Sequence, residues 1–487
     1  MSKDPSLKSQ ASAIFIGNLA GTVFQFLIPA IIVRLISKED FGVFRQFSLL
    51  AGTFESLLAF GFVSSLYYFY PISDKTGKEK VIQQTQLFFF ISLLIFTIIF
   101  YLFGNKILIK LNFPEFMDVK FLIIIYLVFT MLSSIVSNIF TLEKNTFLNK
   151  IYPPIEKVVR FFIFLITILL IPGFLGPILA LVFFGAARFL FVTKHIFPYI
   201  KNWHALDMEL LKKQFMYSLP FGLALVLNLV STTFDKYFIN QYITPSEFGV
   251  YSIAFLSIPI LSQFFASVHN VVVPQISVFM NENKKNEATR LWQKTVDKTS
   301  SITIPAVILF WILAKEIITV LYTKEYIEAA NYYRIFVPMF FVSMFSHEII
   351  LRASNRTRYI FISNVIGTII TVITGIVLIP KFGLYGAIIT ALVGTITPMI
   401  ISLNIERKIM NLRLYNFVNW HKIGLNFLIC LSIGFPLLFL KDYISNIYLR
   451  SALVVIFFCS LVLILQLRFD IFIFKDFIYN FFKKSKK

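Results

Sequence analysis

Apolar runs of about twenty residues recur along this chain, and the charged residues gather in the short stretches between them. A helix rises 1.5 Å per residue, so roughly 20 apolar residues cross the hydrocarbon core of a bilayer. Within lipid each backbone N–H and C=O must be satisfied inside the spanning structure, which leaves helices or closed barrels, and runs of this length are helical. Fourteen segments meet the criterion: 11–34, 46–70, 86–108, 119–142, 153–172, 177–198, 214–239, 249–275, 300–322, 333–352, 357–380, 383–405, 423–441 and 447–467. The composition leaves no other class open. Fifty-seven per cent of the 487 residues are hydrophobic and 14% charged, against about 25% charged in a soluble domain. A soluble enzyme, a disordered chain and a DNA-binding domain are excluded. The sequence predicts an all-α integral membrane protein of about fourteen transmembrane helices. The first run contains Asn18 and Gln25 and lacks a small-residue cleavage site after it, so it reads as a span and not a signal peptide.

The net charge is +20. In a soluble domain that would suggest nucleic acid; in a membrane protein it points to basic loops on one face, and no nucleic-acid partner is expected. Placing the N-terminus inside puts 32 of the 45 Lys and Arg on the same side as both termini, and 13 on the other. The positive-inside rule therefore places both termini in the cytoplasm. Two polar stretches carry apolar residues at helical spacing: 276–299 with Leu291, Trp292 and Val296, and 203–215 with Trp203, Leu206, Leu210 and Phe215. Both are expected to lie on the membrane surface. The C-terminal Lys483, Lys484, Lys486 and Lys487 suit an anchor to anionic membrane lipid. Cys430 and Cys459 fall in apolar runs and read as small buried residues, with neither disulfide nor metal spacing.

The chain also repeats itself. Asp40-Phe41-Gly42-Val43-Phe44 follows the first span and Glu247-Phe248-Gly249-Val250-Tyr251 the seventh, at an offset of 207. Leu170-Ile171-Pro172 ends the fifth span and Leu378-Ile379-Pro380 the eleventh, at an offset of 208. The division is then a lobe of six helices over 1–206, a second over 207–415, and 416–487 with two further helices and the basic tail. Six is even, so the lobes have parallel orientation, related by an axis along the membrane normal with a cleft between them. Spans thirteen and fourteen hold no interior charge and suit a lipid-facing appendage.

At these motifs the chain resembles the multidrug/oligosaccharidyl-lipid/polysaccharide exporter superfamily, and within it the polysaccharide-biosynthesis branch of Wzx-like O-antigen flippases. Arg34-Leu35-Ile36-Ser37-Lys38-Glu39-Asp40-Phe41-Gly42-Val43-Phe44 is similar to the family's signature after its first helix. Asp235-Lys236 followed by Phe248-Gly249-Val250-Tyr251 matches a second motif, where the family usually has Asp-Arg; lysine keeps the charge without the planar fork. Pro380-Lys381-Phe382-Gly383-Leu384-Tyr385-Gly386-Ala387 forms the third. The resemblance implies transfer of polyprenyl-pyrophosphate-linked glycan from the cytoplasmic to the outer leaflet of a bacterial inner membrane, as in lipopolysaccharide O-antigen export, with polysaccharide assembly proteins as partners. It implies neither catalysis nor a cofactor.

Ionisable groups inside a span cost about 2.5–3.5 kcal/mol each on insertion scales, so each is a functional candidate. Arg160 and Arg188 suit a pyrophosphate, because guanidinium stays charged in a low dielectric and binds phosphate in bidentate fashion; Arg352 joins them as a third cation. Their bland reading is structural pairing, with Glu55 or with Glu156 one turn from Arg160. Glu55, at the centre of the second span without a basic neighbour on its own helix, is a candidate proton carrier or a structural partner of an arginine. His269, His347 and Glu348 are coupling or packing groups. Asp235 and Lys236 form a gate pair or a solvated one. Asn18, Gln25, Asn228, Gln263, Asn270 and Gln275 line a sugar path or glue helices together. No paired catalytic carboxylates, zinc spacing, P-loop or nucleophile elbow is present. A drug exporter of the same fold would want acidic residues for cationic substrates. A flippase for lipid-linked cell-wall precursor would share the basic cleft. A membrane glycan polymerase or glycosyltransferase would need a large outer loop, and the outer stretches 104–118 and 323–332 are short.

Overall fold

The computed structural model describes residues 21, 24, 27–143, 145–201 and 206–471. Residues 11–20 of the first span, Asn18, Gln25, Trp203 and the lysine-rich end of the tail lie outside these. Among the described residues every element is helical, and the chain divides into two compact units, up to Ser252 and from Ile253.

The first unit holds α1 (27–35), α2 (Lys38–Ala59), α3 (Val63–Ile72), α4 (Lys75–Lys110), α5 (Lys120–Ser133), α6 (Val136–Leu142), α7 (Thr146–Leu170), α8 (Leu175–Lys201), α9 (Met208–Ile239) and α10 (Pro245–Ala254). The second holds α11 (Pro259–Asn281), α12 (Lys285–Ile312), α13 (Ala314–Tyr322), α14 (Ala329–Phe336), α15 (Phe340–Met344), α16 (Ile349–Ala353), α17 (Thr357–Ile409), α18 (Leu414–Phe417), α19 (Trp420–Leu440) and α20 (Ile447–Arg468). Nine stretches among the described residues are long and apolar enough to cross a membrane, and α12 with α13 makes a tenth across a 69° bend. α17 alone is 53 residues long and contains two expected spans joined at Gly383, whose φ of 55° and ψ of −129° interrupt the helix. α7 and α11 occupy the expected fifth and eighth spans. The chain is thus a multi-pass, all-α membrane protein of about fourteen spans.

Two devices hold the helices close. In α17 a Cβ on Gly367 would stand 2.5 Å from Pro398 and one on Gly394 2.4 Å from Thr371. Residues 367 and 371 therefore face 398 and 394 across an antiparallel hairpin whose backbones approach through small residues, as membrane helices do. The other device is the repeated motif. Ser37 caps α2 by accepting from the Asp40 amide at 3.1 Å, and Thr244 and Glu247 cap α10 reciprocally, at 2.8 and 3.3 Å, each supplying bonds that a helix start lacks. The two copies then pack on each other. A Cβ on Gly42 would stand 1.7 Å from the Pro245 carbonyl oxygen, and one on Gly249 3.3 Å from the Gly42 Cα. Arg45 Nε donates to Ser252 Oγ at 3.0 Å, a residue 207 positions away and its own repeat counterpart. Asp40 also accepts from the Phe174 amide at 3.0 Å, which ties the first motif to the turn after Leu170-Ile171-Pro172.

Two segments expected to lie on the membrane surface are instead continuous with long helices. Residues 285–299 are not a separate helix lying on the membrane surface: α12 runs unbroken from Lys285 to Ile312. Its apolar face is buried in protein, with Trp292 stacked on Phe417 at 4.1 Å and Val296 beneath it. Residues 208–215 likewise begin α9 and continue into its span. The last two spans are exposed along one side, through Leu428, Phe435, Ile456 and Ile464, but they are more than an appendage. Asn426 donates to the Ser300 carbonyl at 3.0 Å, and Gln466 to Ser301 and to Asn426 at 2.9 and 2.8 Å, so α19 and α20 are tied to α12 in mid-helix. At the other end Lys441 Nζ donates to both Glu316 oxygens at 2.9 Å and to the Ile312 carbonyl at 2.7 Å, with both side chains 3% exposed.

Candidate functional site

In the first unit the expected span charges come together. α2 carries Glu55, α5 carries Tyr126, α7 carries Glu156 and Arg160, and α8 carries Arg188, each half-buried. Tyr126 donates to Glu55 Oε2 at 3.4 Å. Arg188 Nε stands 3.6 Å from Glu156 Oε1, and its Nη2 donates to the Ser133 carbonyl at 3.4 Å. Both guanidinium groups act electrostatically on Glu55. The Arg160 guanidinium lies 5.6 Å from the Phe164 ring centre and 5.4 Å from that of Phe184, within range of a cation–π attraction. Its buried Nε has no hydrogen-bond partner among the described residues. Glu156 thus serves Arg188 from the facing helix, while Arg160, one turn away on α7, is held by rings and retains donor capacity.

The cluster borders an apolar groove between α7 and α8, about 250 Å³ in volume, lined by Tyr152, Val159, Phe184, Phe191 and the Glu156–Arg188 pair. One guanidinium therefore belongs to both a charged cluster and an apolar channel, the two environments that an amphiphile with an anionic head requires.

Asp235 and Lys236 are not a solvated pair. Asp235 is 1% exposed and accepts from the Tyr251 hydroxyl of the second motif copy; Lys236 Nζ lies 3.6 Å from it and donates to the Thr232 carbonyl. Beside them Gln46 donates to Asn240 at 2.6 Å, and Asn240 and Asn112 exchange bonds at 2.9 and 2.7 Å. The motif end of this unit thus holds two sets of polar contacts, Asp235 with Tyr251 and Gln46 with Asn240 and Asn112.

The remaining candidates lie in the second unit. Arg352 is exposed and paired with Glu348 at 2.7 Å. His269 of α11 lies within electrostatic reach of both, and His347 within reach of His269 and Glu348. These groups surround a break in the tenth span, where Ser346 and Glu348 have φ of 47° and 74°. Non-glycine residues held there cost about 1–3 kcal/mol each. The sequence reading missed the carboxyl that holds the break. Glu406 of α17 is 0% exposed and accepts from the amides of Ile350 and Leu351 at 2.9 and 3.3 Å. It sits one residue past the expected twelfth span, beside Arg407 and Lys408, and so reads in sequence as a loop charge. Asn228, Asn270 and Gln275 are exposed on apolar helices. Among the described residues no group of His, Cys, Asp or Glu is arranged to hold a metal ion.

A family described as polysaccharide biosynthesis protein matches residues 31–331. A membrane protein of Methanocaldococcus jannaschii is 26% identical over 275 residues, covering 56% of this chain and 52% of that protein. A probable low-salt glycan biosynthesis flippase of Haloferax volcanii, Agl15, is 24% identical over 156 residues, covering 31% of this chain and 33% of that one. The chain thus matches about half the length of the first relative and a third of the second. Among solved structures, the lipid II flippase MurJ in an inward closed conformation superposes with a TM-score of 0.72 at 18% identity, over 96% of this chain and 99% of that one. A multidrug resistance MATE family transporter of the MOP superfamily, inward-facing, gives 0.61 at 13% identity over 80% and 94%. The fold is that of the MOP-superfamily transporters.

Proposed function

Because the chain belongs to the polysaccharide biosynthesis protein family, we propose that it is a flippase carrying polyprenyl-pyrophosphate-linked oligosaccharide repeat units across the inner membrane. The observation that carries the reading is the Arg160–Arg188 cluster, placed in spans and joined to an apolar groove through Arg188. Two guanidinium groups suit a pyrophosphate. A cationic drug would be repelled by them. The polyprenyl chain would stay in lipid or in the α7–α8 groove while the sugar passes through the polar interior.

Transport follows alternating access between the repeat lobes 1–206 and 207–415, with both termini in the cytoplasm. The outer gate in this cycle is Asp235 with Lys236, supported by the Asp235–Tyr251 bond and the Gly42–Pro245 contact. An ion gradient drives the cycle, with Glu55 as one coupling carboxyl: bonded to Tyr126 when the cluster is dry, ionised when water enters. A lipid-linked cell-wall precursor would present the same pyrophosphate, and the fold likeness to MurJ keeps that substrate in the comparison.

Deletion of the gene in its own host tests the proposal. Surface glycan should disappear, lipid-linked repeat units should accumulate on the inner leaflet, and the wild-type chain should restore both. Loss of peptidoglycan precursor export with intact surface glycan would assign the cell-wall substrate. Normal levels of both would sink the flippase reading.

A further inference from the structure

We propose that Glu406 is a proton-binding site, holding a proton in the conformation seen here and releasing it when the broken tenth span opens to water. This rests on the transporter reading above and names a coupling group within it.

Glu406 is fully buried on α17. Its Oε1 accepts two amides of α16, at 2.9 and 3.3 Å, but its buried Oε2 has no hydrogen-bond partner among the described residues. An ionised carboxylate needs donors on both oxygens or a counter-charge when taken out of water. Neither is present. No ion pair to Glu406 exists among the described residues, and three of the cations nearby are engaged elsewhere. Arg352 of α16 is held by Glu348 at 2.7 Å, Lys285 of α12 by the Ile409 carbonyl at 3.0 Å, and Arg407 of α17 by Asn404 at 2.9 Å. The Glu348 carboxylate acts on Glu406 as a like charge, and the Glu348 backbone amide acts in the opposite sense. His347, in the break itself, and His269 of α11 lie in the same region, within reach of Glu348. A neutral carboxyl keeps the bonds to the α16 amides through Oε1 and removes the uncompensated charge at Oε2.

The site is placed where its protonation can be felt mechanically. The chain from Phe345 to Glu348 leaves helical geometry through two left-handed residues, Ser346 and Glu348. Glu406 bonds the amides immediately after this break, so α16 is held to α17 by this carboxyl. Discontinuous helices of this kind bind coupling ions in transporters because their freed backbone groups face a polar group instead of the helix interior. Hydration would ionise Glu406, and reclosure of the break would require the proton again.

The test labels the break. Ser346 is 1% exposed, and Ser346→Cys is nearly isosteric; the full chain also carries Cys430→Ser and Cys459→Ser. Each pH unit changes the ratio of ionised to neutral carboxyl about tenfold, so maleimide labelling, divided at each pH by that of a free thiol because the thiolate is the reacting form, should rise about tenfold or more from acid to alkaline pH. Glu406→Gln should flatten that dependence. Glu348→Gln and His347→Gln should retain it, and Glu406→Asp, still titratable, should retain a shifted one if the Gln variant does not fold. The inference is overturned if the parent labels equally at all pH values, or if Glu406→Gln labels like the parent. Labelling needs no substrate, so a protein that labels as expected yet translocates no lipid-linked glycan would contradict the flippase reading alone. In proteoliposomes a pH gradient should accelerate the parent; Glu406→Gln responding as the parent does would also overturn the inference.

Discussion

Gly42→Ala is the substitution whose consequence follows most directly from the geometry. The new methyl would stand 1.7 Å from the Pro245 carbonyl oxygen and 2.3 Å from its carbon. A carbon tolerates such an oxygen at about 3.3 Å, so the two motif copies must separate by about 1.5 Å. Both obstructing atoms are backbone, and no side-chain rotation relieves the contact. At that separation the Arg45–Ser252 bond, now 3.0 Å, and the Gln46–Asn240 bond, now 2.6 Å, both pass beyond hydrogen-bonding range. Gln46 and Asn240 are 2% and 0% exposed, so each loss strands a buried polar group at about 1–3 kcal/mol. The packed arrangement of the two motif copies should lose about 3 kcal/mol, roughly a hundredfold in its population. Ser252→Cys reports this: maleimide labelling should accelerate by about that factor in the Gly42→Ala background, and purified protein should melt earlier. Gly52→Ala, on the same helix with nothing within 4 Å of its added Cβ, controls for helix effects and should be neutral or stabilising by up to about 1 kcal/mol. Equal labelling and melting of Gly42→Ala and wild type would refute the packing of the motif copies.

Three further outcomes are expected. Lys441→Met leaves Glu316 buried at 3% exposure with only Arg450, 3.4 Å away, as partner; breaking a buried pair costs about 3–5 kcal/mol, and the remaining arginine should reduce the loss to about 2–3, read as a lower melting temperature in detergent. Asp207 caps α9 by accepting from the Leu210 amide at 3.0 Å, and that bond together with Lys80 lowers its carboxyl below the usual range. Its stabilisation is therefore present above the ordinary aspartate pKa and lost as pH falls through the depressed value, so protection from hydrogen exchange in the first turn of α9, taken relative to the intrinsic rate at each pH, should fall at acid pH in wild type and be low at every pH in Asp207→Ala. Cysteines placed within 285–299 should react from the cytoplasmic side and cysteines within 323–332 from the outside; the reverse pattern would overturn the orientation.

The spans were legible because hydrophobic length is a one-dimensional property, and the motif pairing because its glycines and caps recur at one offset. What a sequence leaves open is which face of a helix meets protein and which meets lipid. Trp292 looked like a membrane-surface anchor until Phe417 supplied its partner, and α19 and α20 carry their tie to α12 in Asn426 and Gln466, polar residues easily read as incidental. The arginines were found by their cost in lipid, yet their partners were not: Glu156 pairs across to α8 instead of along α7. Glu406 escaped because a charge one residue past a span is indistinguishable in sequence from a loop charge, although packing buries it completely.

The central claim, that Arg160 and Arg188 engage the pyrophosphate of a lipid-linked glycan, is tested most directly in proteoliposomes loaded with polyprenyl-pyrophosphate oligosaccharide. Translocation is read by the glycan's accessibility to an impermeant lectin. Wild type should expose the glycan, Arg160→Ala and Arg188→Ala should each slow exposure at least about tenfold at normal protein content, and Arg→Lys at either site should restore it only in part, since lysine offers a point charge without the fork. Wild-type rates in both alanine variants would contradict the claim.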